Sequence, residues 1–199
     1  MKITNSQYVS KIKGRNLFRF VSGFLVRSLN YFYSESKSFL ARFRGAKIGH
    51  GSNLNFKLAL KANSNLVVGK YSVIESNDLD LRNKIIIGDK VIINKEVKII
   101  RESHDVNSKS FDLISNPLEI NDYVWIATNS LILPSCHKIA AGAILGAGSV
   151  LAKSINNEND IYIGNPACFL KKRKCVHSNI MLESLQGRDF LKYIKARFQ

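Results

Sequence analysis

Large aliphatic residues recur along the middle of this chain with a step that neither common secondary structure produces. From Ile120 to Leu151 they stand at Ile120, Ile126, Ile132, Ile139, Leu145 and Leu151, six residues apart with a single step of seven at Ile139. Four residues after an aliphatic comes something small or β-branched: Val124, Ser130, Cys136, Ala143 and Ser149. A helix repeats its apolar face about every 3.6 residues and a strand about every 2, so neither explains the step. A solenoid does, because each turn buries its aliphatics against the turns above and below. The step begins upstream at Ile48-Gly49 and runs through Leu54, Leu60 and Leu66, with Ser52 and Ser64 in the small positions. It resumes at Val68-Gly69 with Ile74, and at Ile87-Gly88 with Ile93 and Ile99, where Val91 and Val97 are the small partners. Three hexads close one triangular coil, so residues 48–155 predict a mainly β fold of about five coils. Glycine after the aliphatic, at Gly49, Gly69, Gly88 and Gly146, predicts tight corners with positive φ.

The flanks lack the step. Between residues 16 and 33, Leu17, Val21, Phe24, Leu25, Leu29 and Phe32 make a broad apolar helical face, with Arg19 and Arg27 among the polar positions. A second short helix is predicted over 36–43. Residues 1–45 thus form a helical segment expected to cap the open end of the solenoid. The competing reading is a basic amphipathic segment lying on an anionic membrane. The repeat itself spans 46–168 and is interrupted by residues 101–119, RESHDVNSKSFDLISNPLE, which are polar, contain Pro117 and hold no hexad. Such a break is a loop thrown out from one edge, and loops of this kind carry function. A basic tail over 169–199 follows, in which Leu182, Leu185, Phe190, Leu191 and Ile194 predict a terminal helix.

Composition narrows the partners. A hydrophobic fraction of 45% rules out wholesale disorder, and a formal net charge of +15 favours anionic partners. Three cysteines (Cys136, Cys168, Cys175) without CxxC spacing, and no signal peptide, point to a reducing, cytoplasmic setting without disulfides or a cysteine zinc site. No stretch approaches the roughly 18 apolar residues of a membrane span. A nucleic-acid binder would interleave stacking aromatics among its cations, and the repeats show no such interleaving, so nucleic acid is not an expected partner.

The [LIV]-G-x4 repeats, the histidine-bearing loop, PLEINDYVWIATNSLILP, IAAGAILGAGSV and YIGNPACFLKKR together resemble the hexapeptide-repeat acyltransferases over residues 46–173. SHD followed by WIAT looks most like the O-acetyltransferases of bacterial surface polysaccharides, including the colanic-acid type. The resemblance implies a left-handed parallel β-helix, a homotrimer, acetyl-CoA as cosubstrate and a sugar or polysaccharide acceptor. The handedness comes from the resemblance alone, since chain physics favours right-handed β-crossovers. N-acetylation of an amino or nucleotide sugar is the nearest alternative, and a non-catalytic β-helix scaffold is the rival from another class. The related γ-carbonic anhydrases need three histidines on zinc, two of them close in sequence, whereas no two histidines here are within thirty residues of each other. No metal is expected.

Acetyl transfer from a thioester to a hydroxyl requires a base for the hydroxyl proton, donors for the developing oxyanion and a groove for the pantetheine arm and phosphates. Histidine suits the base because its pKa lies near neutral pH. Of His50, His104, His137 and His177, His104 stands in the extruded loop at the position matching the family's base; the others read as surface residues. Asp105 is a substrate contact or a turn former with equal claim. Where sugar-acetylating relatives place an asparagine near the acceptor, this chain has Glu75, with Asn77 two residues on. Glu102 reads as solvated. Trp125 falls between two inward positions and must point outward, as a wall of the acceptor site or a subunit contact. The resemblance assigns Ala127 and Thr128 to the oxyanion and pantetheine, Ala147, Gly148 and Ser149 to the same arm, and Asn165 and Pro166 to the border of the groove. It assigns Lys153, Lys171, Lys172 and Arg173 to the CoA phosphates, with Cys168 where relatives commonly carry a cation. Cys136 is no nucleophile on this reading, because its hexad position points into the core.

Overall fold

The computed structural model describes residues 5–176 and 189–198. By contacts the chain divides into two compact units, residues 37–178 and residues 1–36 with 179–199.

The larger unit is a parallel β-helix with three faces. The first face stacks β1 (Lys47–Ile48), β3 (Leu66–Val68), β6 (Ile85–Ile87), β11 (Leu118–Ile120) and β14 (Lys138–Ile139). The second stacks β2 (Asn53–Leu54), β4 (Val73–Ile74), β7 (Ile92–Ile93), β12 (Trp125–Ile126), β15 (Ile144–Leu145) and β17 (Asp160–Gly164), the last paired antiparallel with β18 (Ala167–Lys172). The third stacks β5 (Asp78–Leu79), β8 (Lys98–Ile99), β13 (Leu131–Ile132) and β16 (Val150–Leu151). Each aliphatic of the six-residue step lies directly over its counterpart one coil away. Ile87 pairs with Ile120 and Ile120 with Ile139; Ile93 with Ile126 and Ile126 with Leu145; Ile99 with Ile132 and Ile132 with Leu151. These columns are at most 1% exposed. Burial of each such side chain contributes about 1.5–3 kcal/mol, which is why the register holds. The small partners Val124, Cys136, Ala143 and Ser149 are also fully buried, at the corners where the core is narrowest.

Several expectations change. The second face carries six parallel strands, because the winding continues past Ile155 into β17. Leu60 is not a strand residue. Asn55 caps helix α3 (Phe56–Lys61) by accepting from Lys57 N, and the helix buries Leu58 and Ala59 while Leu60 and Ser64 stay exposed. In FKLALK the helix formers and the cap outweigh the hexad spacing. The glycines after the aliphatics do not supply positive φ either, which falls two residues later, at Gly51, Tyr71, Lys90 and Gly148. Their role is close approach: a Cβ on Gly69 would lie 2.6 Å from the Gly88 carbonyl carbon, and one on Gly88 2.8 Å from Asp122 N.

Toward the N-terminus, helix α1 (Asn5–Lys13) precedes a single helix α2 (Leu17–Phe43), where two shorter helices were expected. No glycine or proline separates them, and Ser36 Oγ bonds back to its own helix, donating to Tyr33 O at 2.9 Å. Within the larger unit the last turns of α2 bury Ala41 in the β-helix core, and Ser38 Oγ donates to Ser52 O at 3.0 Å. The smaller unit packs Ile12, Phe20, Tyr193 and Ala196 into its own cluster, joining α1, α2 and α4 (Phe190–Phe198). Of the expected terminal helix, Phe190, Leu191 and Ile194 lie in α4, whereas Leu182 and Leu185 lie outside the described residues. Residues 169–172 of the expected helical tail are strand β18.

Candidate active site

The extruded segment leaves the β-helix between β8 and β11, at the corner joining the third face to the first. Within it β9 (Glu102–His104) pairs antiparallel with β10 (Leu113–Ser115), so the loop is a hairpin with His104 opposite Leu113. Its root is held from both sides. Below, Glu102 pairs with Arg82 at 2.5 Å, Arg82 forks onto Asp80 at 2.8 Å, and Asn83 Nδ2 donates to Ser115 Oγ at 2.8 Å. That fork, more than any other partner, holds the Asp80 carboxyl well below its usual value, at about 2. Above, Arg101 is fully buried and donates to Cys136 O at 2.8 Å and to Leu133 O at 2.5 Å, with longer bonds to Asn116 O and Pro117 O. One guanidinium thus ties both ends of the hairpin to the next coil. Burial lowers the Arg101 pKa, and its Nε has no hydrogen-bond partner among the described residues. Sequence reasoning missed Arg101, because a charged residue beside a polar loop reads as solvated. Glu102, expected in solvent, is an anchor.

His104 is exposed. Its Nδ1 lies 2.8 Å from Phe111 O, and its ring stacks on Phe111 with centroids 4.3 Å apart and planes 6° from parallel. A carbonyl can only accept, so Nδ1 carries a proton, and in the neutral ring it is Nε2 that holds the lone pair. Phe111 adopts φ 52°, a conformation costly for a bulky side chain, and this turns its carbonyl and ring onto His104. Asp105 takes the turn-forming role: its Oδ1 accepts from Asn107 N at 2.9 Å.

On the second face a polar ladder climbs the coils. Asn55 Nδ2 donates to Glu75 O at 2.8 Å, Asn94 Nδ2 to Glu75 Oε2 at 3.1 Å, and Trp125 Nε1 to Asn94 Oδ1 at 2.7 Å. Trp125 points outward and remains 41% exposed. Glu75 is therefore brought to Trp125 through Asn94, a residue the hexad pattern left unremarked at an ordinary outward position; Asn77 stands exposed at the next corner.

The donor candidates divide. The Ala127 amide donates to Leu145 O at 2.9 Å within the coil ladder, so it offers no oxyanion donor. The Thr128 amide has no backbone acceptor among the described residues, and Thr128 O receives Gly148 N at 3.0 Å, stacking the two corners. Ala147 and Gly148 are exposed, with nothing within 4 Å of where a Gly148 Cβ would stand, so the backbone there is open to a ligand. Ser149 is fully buried and its hydroxyl accepts from Gly164 N at 3.0 Å, which makes it structural rather than a cofactor contact. Arg173 is likewise occupied, donating to Tyr123 O, Gly142 O and Cys175 O, so its guanidinium clamps a corner instead of meeting phosphate. Lys172 lies 3.8 Å from the buried Asp160. Lys153 and Lys171 are exposed with no ion pair among the described residues. Asn165 and Pro166, both exposed, make the tip of the β17–β18 hairpin. Burial pushes the Cys136 thiol up to about 11, removing it as a nucleophile. His50 and His137 stand at exposed corners, and His177 lies outside the described residues.

No family model matches the chain. A relative from Escherichia coli K12, provisionally named colanic acid biosynthesis acetyltransferase WcaF, is 30% identical over 139 residues, covering 69% of this chain and 75% of the relative. The chain belongs to the hexapeptide-repeat acetyltransferases. Two solved structures share the fold. A hexapeptide-repeat containing acetyltransferase from Vibrio cholerae aligns with TM-score 0.55 and 19% identity over 81% of this chain and 96% of that one. A galactoside acetyltransferase in complex with coenzyme A aligns with TM-score 0.52 and 19% identity over 77% and 82%. As an acetyltransferase, the chain presents its His104 hairpin at one corner of the β-helix and its tryptophan ladder on the face opposite that corner.

Proposed function

We propose that this acetyltransferase moves the acetyl group of acetyl-CoA onto a hydroxyl of a bacterial surface polysaccharide or its precursor, with His104 as general base. The observation that carries the reading is the His104–Phe111 pair: a carbonyl holds the Nδ1 proton, and Nε2 is left free in an exposed position. In this reaction Nε2 takes the hydroxyl proton as the acceptor oxygen attacks the thioester carbonyl. The tetrahedral oxyanion meets the Thr128 amide; on its collapse the C–S bond breaks, and the imidazolium returns the proton to the CoA sulfur. No covalent enzyme intermediate is involved. Ala147, Gly148, Asn165 and Pro166 border the pantetheine, and Lys153 and Lys171 meet the phosphates. Glu75, Asn94 and Trp125 frame the acceptor. Both the WcaF relative's name and the coenzyme A held by the galactoside acetyltransferase support this choice of donor and acceptor.

The hairpin and the Trp125 ladder occupy opposite sides of one β-helix, which favours a site shared between neighbouring copies in a cytoplasmic trimer. The test is thiol release from acetyl-CoA in the presence of candidate sugar acceptors. His104→Ala should lower kcat by about 10²–10⁴ while leaving CoA affinity unchanged. A near wild-type rate in that variant refutes the base assignment; loss of CoA binding by wild-type protein in calorimetry refutes the enzyme reading.

A further inference from the structure

The part of α2 in the smaller unit buries one side and leaves the other open. Phe20 stacks on Tyr193 with centroids 5.1 Å apart, and Gly23 lies against the Tyr193 hydroxyl. Leu17, Phe18, Val21, Leu25, Leu29 and Phe32 turn the other way and are 44–81% exposed. At about 100° per residue they occupy roughly a third of the helix circumference, on the side away from Phe20 and Gly23. Single exposed aliphatics are ordinary, but a continuous strip of this kind marks an interaction surface.

Beside the strip, across Ser22 and Val26, α1 and α2 enclose a cleft of about 620 Å³ lined by Lys11, Arg15, Arg19 and Arg27. Arg27 is neutralised by Asp189 at 2.9 Å, which also receives the Tyr8 hydroxyl at 2.8 Å. Lys11, Arg15 and Arg19 have no carboxylate in ion-pair range among the described residues. Across residues 1–36 and 179–199, ten Lys and Arg stand against three Asp and Glu. An apolar helical strip bordered by uncompensated cations matches one partner chemistry: an anionic bilayer surface, with side chains entering the headgroup–acyl boundary and cations meeting phosphates. No described helix is long and apolar enough to cross a membrane, so the helix would lie on the surface. A second copy of the chain fits less well, because it would set two cation-rich faces against each other.

We propose that this surface docks the protein on an anionic lipid bilayer, with the Leu17–Phe32 strip inserted and Lys11, Arg15 and Arg19 on lipid phosphates. The inference needs no part of the acetyl-transfer chemistry. It is tested by co-sedimenting the full chain with vesicles of phosphatidylglycerol and phosphatidylcholine in equal parts, and with phosphatidylcholine alone. Binding to the anionic vesicles is expected to be at least about tenfold tighter and to weaken with salt. Leu29→Ser with Phe32→Ser should lower that affinity about tenfold or more. Lys11→Glu with Arg19→Glu should remove the preference for anionic vesicles. Both double variants should keep the wild-type circular dichroism and CoA affinity. Equal binding to both vesicle types, or to neither, overturns the proposal. So does a smaller oligomer for the Leu29→Ser, Phe32→Ser variant in sedimentation velocity, which would assign the strip to contact between copies.

Discussion

Replacing Arg101 with methionine isolates what the guanidinium does, because methionine keeps the unbranched apolar stem and deletes only the charged fork. The two short bonds to Cys136 O and Leu133 O are charge-assisted, and such bonds contribute about 1.5–3 kcal/mol each. The bonds to Asn116 O and Pro117 O, at 3.4 and 3.5 Å, add little. Losing the short pair costs about 3–6 kcal/mol and leaves carbonyls without partners. Against this, a cation with an unpartnered Nε leaves the interior, and that relief offsets part of the loss. The net expectation is a destabilisation of about 2–4 kcal/mol, which at about 2–4 °C per kcal/mol for a chain of this size lowers the Tm by roughly 4–16 °C. Thermal melting gives the first number, and amide exchange gives the location. Protection of Asp105 N–H, bonded to Asp112 O at 2.8 Å across the hairpin, should fall more than that of Trp125 N–H in the coil ladder. Because His104 rides on the same hairpin, kcat should fall at least about tenfold with little change in CoA affinity. A Tm within about 2 °C of wild type, together with unchanged protection of Asp105, would refute the view of Arg101 as the clamp of the hairpin root.

Asp80 predicts an acid response of definite sign. Its folded pKa near 2 lies below the ordinary 3.8, so its contribution is complete above that ordinary value and disappears as pH falls through the folded one. Urea midpoints for wild type should therefore drop between pH 4 and 2, and Asp80→Asn, less stable at pH 7, should drop less over that window; parallel curves would contradict the assignment. Thiol labelling of the native protein should modify Cys168 and Cys175, both exposed, and spare Cys136 until the chain unfolds. Rapid labelling of all three would show that the corner holding Cys136 is not closed.

Much of the β-helix was legible before any coordinates, because a solenoid writes its geometry locally. Each coil contacts only its neighbours, so a six-residue step directly determines which side chains stack, and Ile120 through Leu151 alone predict a solenoid. The same locality made His104 conspicuous, as a histidine inside a break in an otherwise unbroken period. The pattern did not reveal what depends on residues meeting across coils or across elements. Arg101 reads as one more polar loop residue until the Cys136 and Leu133 carbonyls are seen closing around it. Asn94 acquires meaning only when the next coil sets Trp125 over it, and Ser149 and Arg173 lose their expected ligand roles because neighbouring backbone already occupies them. Helix α2 shows the limit from the other side. Periodicity put Leu17, Val21, Leu25, Leu29 and Phe32 on one apolar face, yet these stay exposed, and the buried residue is Phe20, outside that face, covered by Tyr193 more than 160 residues away in the chain. Local spacing sets what repeats along a chain, whereas only the folded arrangement decides which surfaces find partners, because burial is a property of pairs.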